Sequence, residues 1–280
     1  MAFPRTTVAG VSLPRLLIGS NWIFGWSHTG HAADLFIKDY HSTVDATLQV
    51  INAFLPYGID AWMAPFSSAP DCMDKIKAIQ DKIGKKLILI DTPIINVDDT
   101  EAARKETRAI FKASAELGST FCLIHHSSCE QLVNKNKRII DRLPQYTEMI
   151  REYGLIPGLS AHMPEIIQYA DLNEYDVETY IQILNCVGFM MQVEIESVIR
   201  IIHEAKKPVM TIKPMGAGRT TPYVGLTFNW NILRPIDMIT VGCINAHEVH
   251  EDVEISLAAL EKRLPNLEGR SSPGKTSIIK

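Results

Sequence analysis

The amino-acid sequence predicts an α/β fold, a (β/α)8 TIM barrel, and three observations carry that prediction. Short apolar runs rich in β-branched residues alternate with longer segments of helical period. The alternation recurs eight times. The chain, 280 residues long and 46% hydrophobic, has the size and apolar content of one such barrel, so residues 1–280 are expected to form a single domain. Strands in this pattern are parallel and joined by crossover helices. They are predicted over 13–21 (LPRLLIGSN), 61–65 (AWMAP), 87–93 (LILIDTP), 120–127 (TFCLIHHS), 156–162 (IPGLSAH), 178–185 (ETYIQILN), 208–214 (PVMTIKP) and 238–243 (MITVGC).

The segments between them carry helix signals of their own. DDTEAARKETRAIFKASAELG opens on acidic residues and stops at Gly118, and NAHEVHEDVEISLAALEKRL opens at Asn245 and stops before Pro265. The first connection differs. Residues 22–40 hold three aromatics and two histidines within ten residues, which predicts an extended first βα loop forming a lid or substrate wall. The polar, Gly- and Ser-containing tail over 265–280 is expected to lie over the barrel or to move.

Charge and cysteine usage narrow the partners. A net charge of -4, with acids and bases interspersed, offers no surface for nucleic acid or an anionic membrane, and a small-molecule substrate is the expected partner. The N-terminal residues lack a signal-peptide pattern and no run of 18 apolar residues occurs, so a cytoplasmic location is expected. Five scattered cysteines without a CxxC pair argue against a disulfide framework or a zinc knuckle. Oligomeric state is left open.

Active sites of such barrels form at the C-terminal ends of the strands. Here those ends carry Asn21, Asp91, Thr92, His125, His126, His162, Asn185 and Lys213, a polar set that packing alone does not explain. His125 and His126 are adjacent in a predicted strand, so only one would face the barrel axis. Asp91, His125 and His162 are a candidate metal set for a divalent ion such as Zn, Mn or Fe. They are equally an acid/base set without metal. Lys213 precedes a loop with Gly216, Gly218 and Arg219, which suits an anionic substrate group, a general base, or an ion pair with a strand-end carboxylate. In the first connection Trp22, Trp26 and His28, with Asn21, would form a wall for a sugar-like ligand, or an apolar anchor beneath solvent-facing histidines.

Several strand-end pieces, taken in order, resemble the aldo-keto reductases. They are LPRLLIGSN, the LIH that ends the fourth strand, GLSAHMPEII, ILN, TIKPMGAG and VGCINAHEVHEDV, closest to a divergent branch with KPxGxG and SxH motifs. The resemblance implies the same barrel, an Asp-Tyr-Lys-His tetrad and NADP(H) as hydride donor. His125 matches the histidine. The stretch that should hold Asp and Tyr reads Met63-Ala64-Pro65-Phe66-Ser67-Ser68, and Asp91-Thr92 stands where Thr-Lys is the pattern. VGCINAHEVHEDV resembles the family's adenine-nucleotide end but lacks its basic anchors for a 2′-phosphate.

With most of the tetrad gone, the expected activity is proton transfer on a small polyhydroxylated or carbonyl substrate, of lyase, epimerase or isomerase type, in carbohydrate metabolism. Catalytic roles fall to His125, His126, His162, Asp91 and Lys213, and substrate binding to Asn21, Trp22, Trp26, His28, Asn185 and Arg219. A divalent metal is expected ahead of NADP. The alternatives are a variant NADP-dependent oxidoreductase and a catalytically inactive barrel that binds a small molecule.

Overall fold

A computed structural model describes residues 2–267. The predicted tail over 265–280 therefore lies almost wholly outside the described residues. The chain begins with an antiparallel hairpin, β1 (Arg5–Val8) and β2 (Val11–Pro14), turned by Ala9 and Gly10 at φ 49° and 81°. Two successive residues with positive φ match the right-handed twist of the flanking strands, as in a type I′ turn. The expected first strand over 13–21 is thereby split, because its start pairs within the hairpin and the barrel strand proper is β3 (Leu16–Ile18).

β4 (Ala61–Ala64), β5 (Ile88–Asp91) and β6 (Phe121–Ile124) follow β3 around the barrel. A small hairpin, β7 (Val133–Asn134) and β8 (Ile139–Ile140), stands outside it. β9 (Ile156–Ala161), β10 (Tyr180–Ile183), β11 (Val209–Ile212) and β12 (Met238–Val241) complete the circle, and β12 pairs with β3. The eight barrel strands are parallel, closed and in chain order.

Side chains alternate across each strand, and the burial follows. Leu17, Met63, Ile90, Phe121, Leu123, Ile181, Met210 and Met238 fill the lumen, and Val8 and Leu13 of the hairpin join them from the N-terminal end. Leu16, Ile18, Trp62, Leu89, Cys122 and Ile124 face outward into the larger core under the helices. The lumen is packed, so space for a ligand exists only above the strands.

The helices are α1 (Asn21–Phe24), α2 (His31–Tyr40), α3 (Val44–Phe54), α4 (Pro70–Ile83), α5 (Glu101–Glu116), α6 (His126–Cys129), α7 (Leu143–Glu152), α8 (Glu165–Leu172), α9 (Ile195–Glu204), α10 (Pro222–Ile232) and α11 (Ala246–Leu260). α5 and α11 stand where the sequence puts them, with Thr100 Oγ1 accepting from Ala103 N and Asn245 Oδ1 from Glu248 N. The first connection is more ordered than a loop. Residues 22–40 fold largely into α1 and α2, tied by Asp34 Oδ1, which accepts from Ser27 N at 2.8 Å and Ser27 Oγ at 2.6 Å. Gly25 permits this approach, because a Cβ there would sit 2.7 Å from Asp34 O. Among the described residues no helix is long and apolar enough to cross a membrane.

One ionisable group is embedded in the helical layer. Asp252 on α11 is 3% exposed, and Cys243 Sγ donates to its Oδ2 at 3.5 Å. Burial, with Glu248 adding repulsion, pushes its carboxyl up to about 7. The folded state therefore holds a proton that the unfolded chain releases near 3.8, and this contribution to stability is lost as pH rises from about 4 to about 7. Asp252→Asn keeps the shape and removes the titration. The variant's melting temperature minus that of the wild type should rise between pH 4.5 and pH 7.5, and a constant difference across that range would refute the assignment.

Candidate active site at the C-terminal ends of the strands

Above the packed lumen lies a cavity of about 670 Å³, walled by residues from all eight strands or the turns that follow them. Its floor holds Met63, Ile181 and Ile212 with the hydroxyl residues Thr92, Ser160 and Thr240. One wall is aromatic, formed by Trp22 and Trp26. The other carries the ionisable groups His125, His126, His162 and Lys213, with His28 and Asp34 from the α1–α2 segment.

The two adjacent histidines are not divided between lumen and outside. β6 ends at Ile124, His125 becomes the N-cap of α6, and His126 is its first residue. The period-two alternation of side chains ends with the strand, and both rings reach the cavity with centroids 4.2 Å apart. His125 Nδ1 accepts from Ser127 N at 3.3 Å and lies 2.8 Å from Ser127 Oγ. That acceptor role leaves the ring proton on Nε2.

His126 stacks on His162, with ring centroids 3.7 Å apart and planes 16° from parallel. His162 is 8% exposed. Its backbone N–H and that of Met163 both donate to Glu130 Oε1, at 2.6 and 2.9 Å. Glu130 is a residue the sequence reading missed. Its signal was the His126-to-Glu130 spacing of four, which shares a helical face once the segment is read as helix instead of strand.

Burial and neighbouring positive charge keep these imidazoles neutral. His162 is lowered to about 3 and His125 to about 4, first by burial, then by the other histidines and Lys213. His126 is lowered as well, chiefly by burial, although Glu130 acts in the opposite sense. Burial brings Lys213 down to about 8, so its proton is mobile near neutrality. Its Nζ lies 2.8 Å from His28 Nε2. No salt bridge reaches Lys213 among the described residues, so the expected pairing with a strand-end carboxylate is absent. Lys213 and His28 both hold left-handed backbone, at φ 59° and 58°, which costs a non-glycine residue on the order of 1 kcal/mol.

Three of the expected site residues sit elsewhere. Asp91 is fully buried on the outward face of β5, opposite Cys122 in register, where its Oδ1 accepts from Ser67 N at 3.3 Å beside Ser114. It points away from the lumen because it is one residue past the inward-facing Ile90. The set Asp91, His125 and His162 is thus not brought together, and burial raises the Asp91 carboxyl. Asn185 is fully buried and spends its amide on its own loop, donating to Phe189 O at 3.0 Å and accepting from Phe189 N at 2.8 Å and Val187 N at 3.3 Å. Arg219 is exposed, donates to Gly216 O, and lays its guanidinium 3.6 Å from the Phe189 ring centre. Both shape the rim and neither lines the cavity. Asn21, Trp22, Trp26 and His28 do line it.

No protein-family model matches the chain, and no curated protein matches it. Solved structures do. A Pseudomonas aeruginosa protein provisionally named as an aldo-keto reductase aligns with a TM-score of 0.65 at 14% identity, over 91% of this chain and 96% of that one. An aldo/keto reductase from Klebsiella pneumoniae, in complex with NADP and acetate, gives 0.57 at 13% identity over 95% and 92%. A thermostable aldo-keto reductase in complex with the inhibitor epalrestat gives 0.60 at 13% identity over 95% and 96%. Identity this low establishes the fold, a divergent (β/α)8 barrel of the aldo-keto-reductase kind. It also corrects the expected chemistry. These three neighbours are named as aldo-keto reductases, so the expectation of a lyase, epimerase or isomerase is set aside and the oxidoreductase alternative is the one taken up below.

The closeness of Lys213 to His28 has a measurable consequence. His28 lies below the ordinary 6.5, through burial first and the Lys213 cation second. Lys213→Met should raise the His28 titration midpoint toward 6.5, followed by NMR of the imidazole Cε1–H signals with His28→Gln as the assignment control. An unmoved midpoint would mean that the two groups do not meet in solution.

Proposed function

We propose that the protein is a nicotinamide-dependent oxidoreductase acting on small carbonyl compounds, with Lys213 in the place of the missing phenol as proton donor. The observation that carries this reading is a barrel of the reductase kind whose strand-end cavity holds one titratable cation, at about 8, beside the neutral His125.

The cavity suits the nicotinamide end of such a cofactor. Trp22 and Trp26 offer flat apolar surface, and the buried hydroxyls of Thr92, Ser160 and Thr240 offer hydrogen bonds to a carboxamide. The segment resembling the adenine-nucleotide end suits a 2′-phosphate poorly. At the start of α11 the Ile244 N–H already donates to Glu248 Oε2 at 2.9 Å, and Asn245 Oδ1 caps Glu248 N, so this N-terminus carries its own carboxylate. A dinucleotide without the 2′-phosphate is the better fit.

A reduced nicotinamide, when bound, supplies hydride to a carbonyl carbon. The chain's own residues supply the rest. His125 Nε2–H donates a hydrogen bond to the substrate carbonyl oxygen and holds it in place. Lys213, protonated below about 8, stabilises charge developing on that oxygen and gives it a proton, while His28 at 2.8 Å is the partner through which the amine regains one. The aromatic wall and the tied α1–α2 segment exclude water from the reacting centre.

Titration of tryptophan fluorescence with NADH and NADPH tests the cofactor half of this reading. Saturable quenching is expected, at least as tight for NADH as for NADPH, and no quenching by either would sink the reading. Against a panel of small aldehydes and ketones, Lys213→Met should lower kcat by roughly 10²–10⁴-fold with NADH affinity retained. The wild-type rate should fall as pH rises through about 8, where Lys213 loses its proton.

A further inference from the structure

The cavity wall contains a donor set that carbonyl reduction does not use. His126 and His162 are stacked with centroids 3.7 Å apart, and Glu130 lies just behind His162. One ligand atom from each of the three falls within 4.8 Å of the others. The geometry points to a site for a borderline divalent ion, zinc in the first place, held by His126, His162 and Glu130 and open toward the cavity.

Two observations support this assignment independently. His162 is buried, yet among the described residues neither its ring nor that of His126 has a hydrogen-bond partner. Both rings line the cavity and stack on each other, so their nitrogens are open to a ligand there. Secondly, the carboxylate is prepositioned. Its Oε1 accepts from two consecutive backbone N–H groups at 2.6 and 2.9 Å, which fixes its place and leaves Oε2 free, the kind of support that orients ligating carboxylates.

Two nitrogens and one oxygen with room for a fourth ligand form the pattern of an open zinc site. A tetrahedral ion with bonds of about 2.0–2.1 Å wants its donors about 3.3 Å apart. Parallel rings present their lone pairs side by side, so the set must close by turning about the side-chain torsions. Rings without hydrogen bonds can make that turn. An ion bound there would sit in the same cavity as Lys213 and His125 and could accept a substrate oxygen as its fourth ligand.

Chelator-stripped full-length protein titrated with zinc chloride in a calorimeter, and with cobalt chloride in a spectrophotometer, tests this directly. Saturation at one ion per chain is expected, with the visible absorption of a low-symmetry cobalt site. His126→Gln is the decisive variant, because its ring makes no hydrogen bonds and its loss leaves the backbone intact. It and His162→Gln should lose stoichiometric binding, and Glu130→Gln, which keeps the backbone acceptor, should weaken it. His203→Gln, on an outer helix, should bind as the wild type does. Circular dichroism confirms that each variant is folded. No stoichiometric uptake by the wild type, or uptake unchanged in both histidine variants, overturns the proposal. NADH titration of the stripped protein separates the outcomes, since the metal proposal can fail while nicotinamide binding stands, and the reverse.

Discussion

The whole arrangement depends on the closure of the eight strands. Once β12 pairs with β3, each strand must send alternate side chains into one narrow lumen. Met63, Phe121, Leu123, Met210 and Met238 fill it, and the N-terminal hairpin stops it from below with Val8 and Leu13. Their side chains are apolar, and the hydroxyls of Ser160 and Thr240 enter only at the upper end. Chemistry is left to the first residues beyond each strand, where the period-two rule no longer decides which way a side chain points.

That release from alternation shapes the site. Asp91 is still on its strand, so it stays outward in the helical layer. His125 and His126 have just left theirs, and the turn into α6 brings both rings to the cavity and Glu130 round behind them. Three neutral imidazoles and one cation then share a half-buried wall. Burial and mutual repulsion drain the histidines of protons and leave Lys213 to titrate near neutrality. Both backbone positions that hold the Lys213–His28 contact lie in the left-handed region, which is strain of the kind that collects at functional sites.

On the proposed reading, a reductase without the phenol and lysine that the sequence resemblance implies works only if another group meets the developing alkoxide. Lys213 comes from the end of the seventh barrel strand, a different quarter of the circle from the lost residues of β4 and β5, so the proton would reach the substrate from a new side. The rim residues Asn185 and Arg219 contribute by clamping the Phe189 loop against the turn after β11.

Local pattern was enough for much of this. Eight apolar runs separated by helical segments suit a closed barrel, the acidic opening of α5 and Asn245 announce helix starts, and Lys213 at a strand end and Trp22, Trp26 and His28 in the connection after the first strand fall where a cavity forms. A strand's end, however, is not written in its composition. TFCLIHHS reads as one β run, while packing of the Ser128 hydroxyl against Ile95 N and O turns the chain into helix at His126. The N-terminal hairpin lies mostly before the first predicted strand, and only Leu13 and Pro14 of it fell within that run. The sequence by itself determined the barrel and the polar character of its mouth, because periodicity and strand order are local. Only the tertiary structure decided that Asp91 faces away, that His126, His162 and Glu130 come together, and that Lys213 has no carboxylate partner among the described residues. Those outcomes depend on where each strand stops relative to its neighbours, a long-range property of the closed sheet.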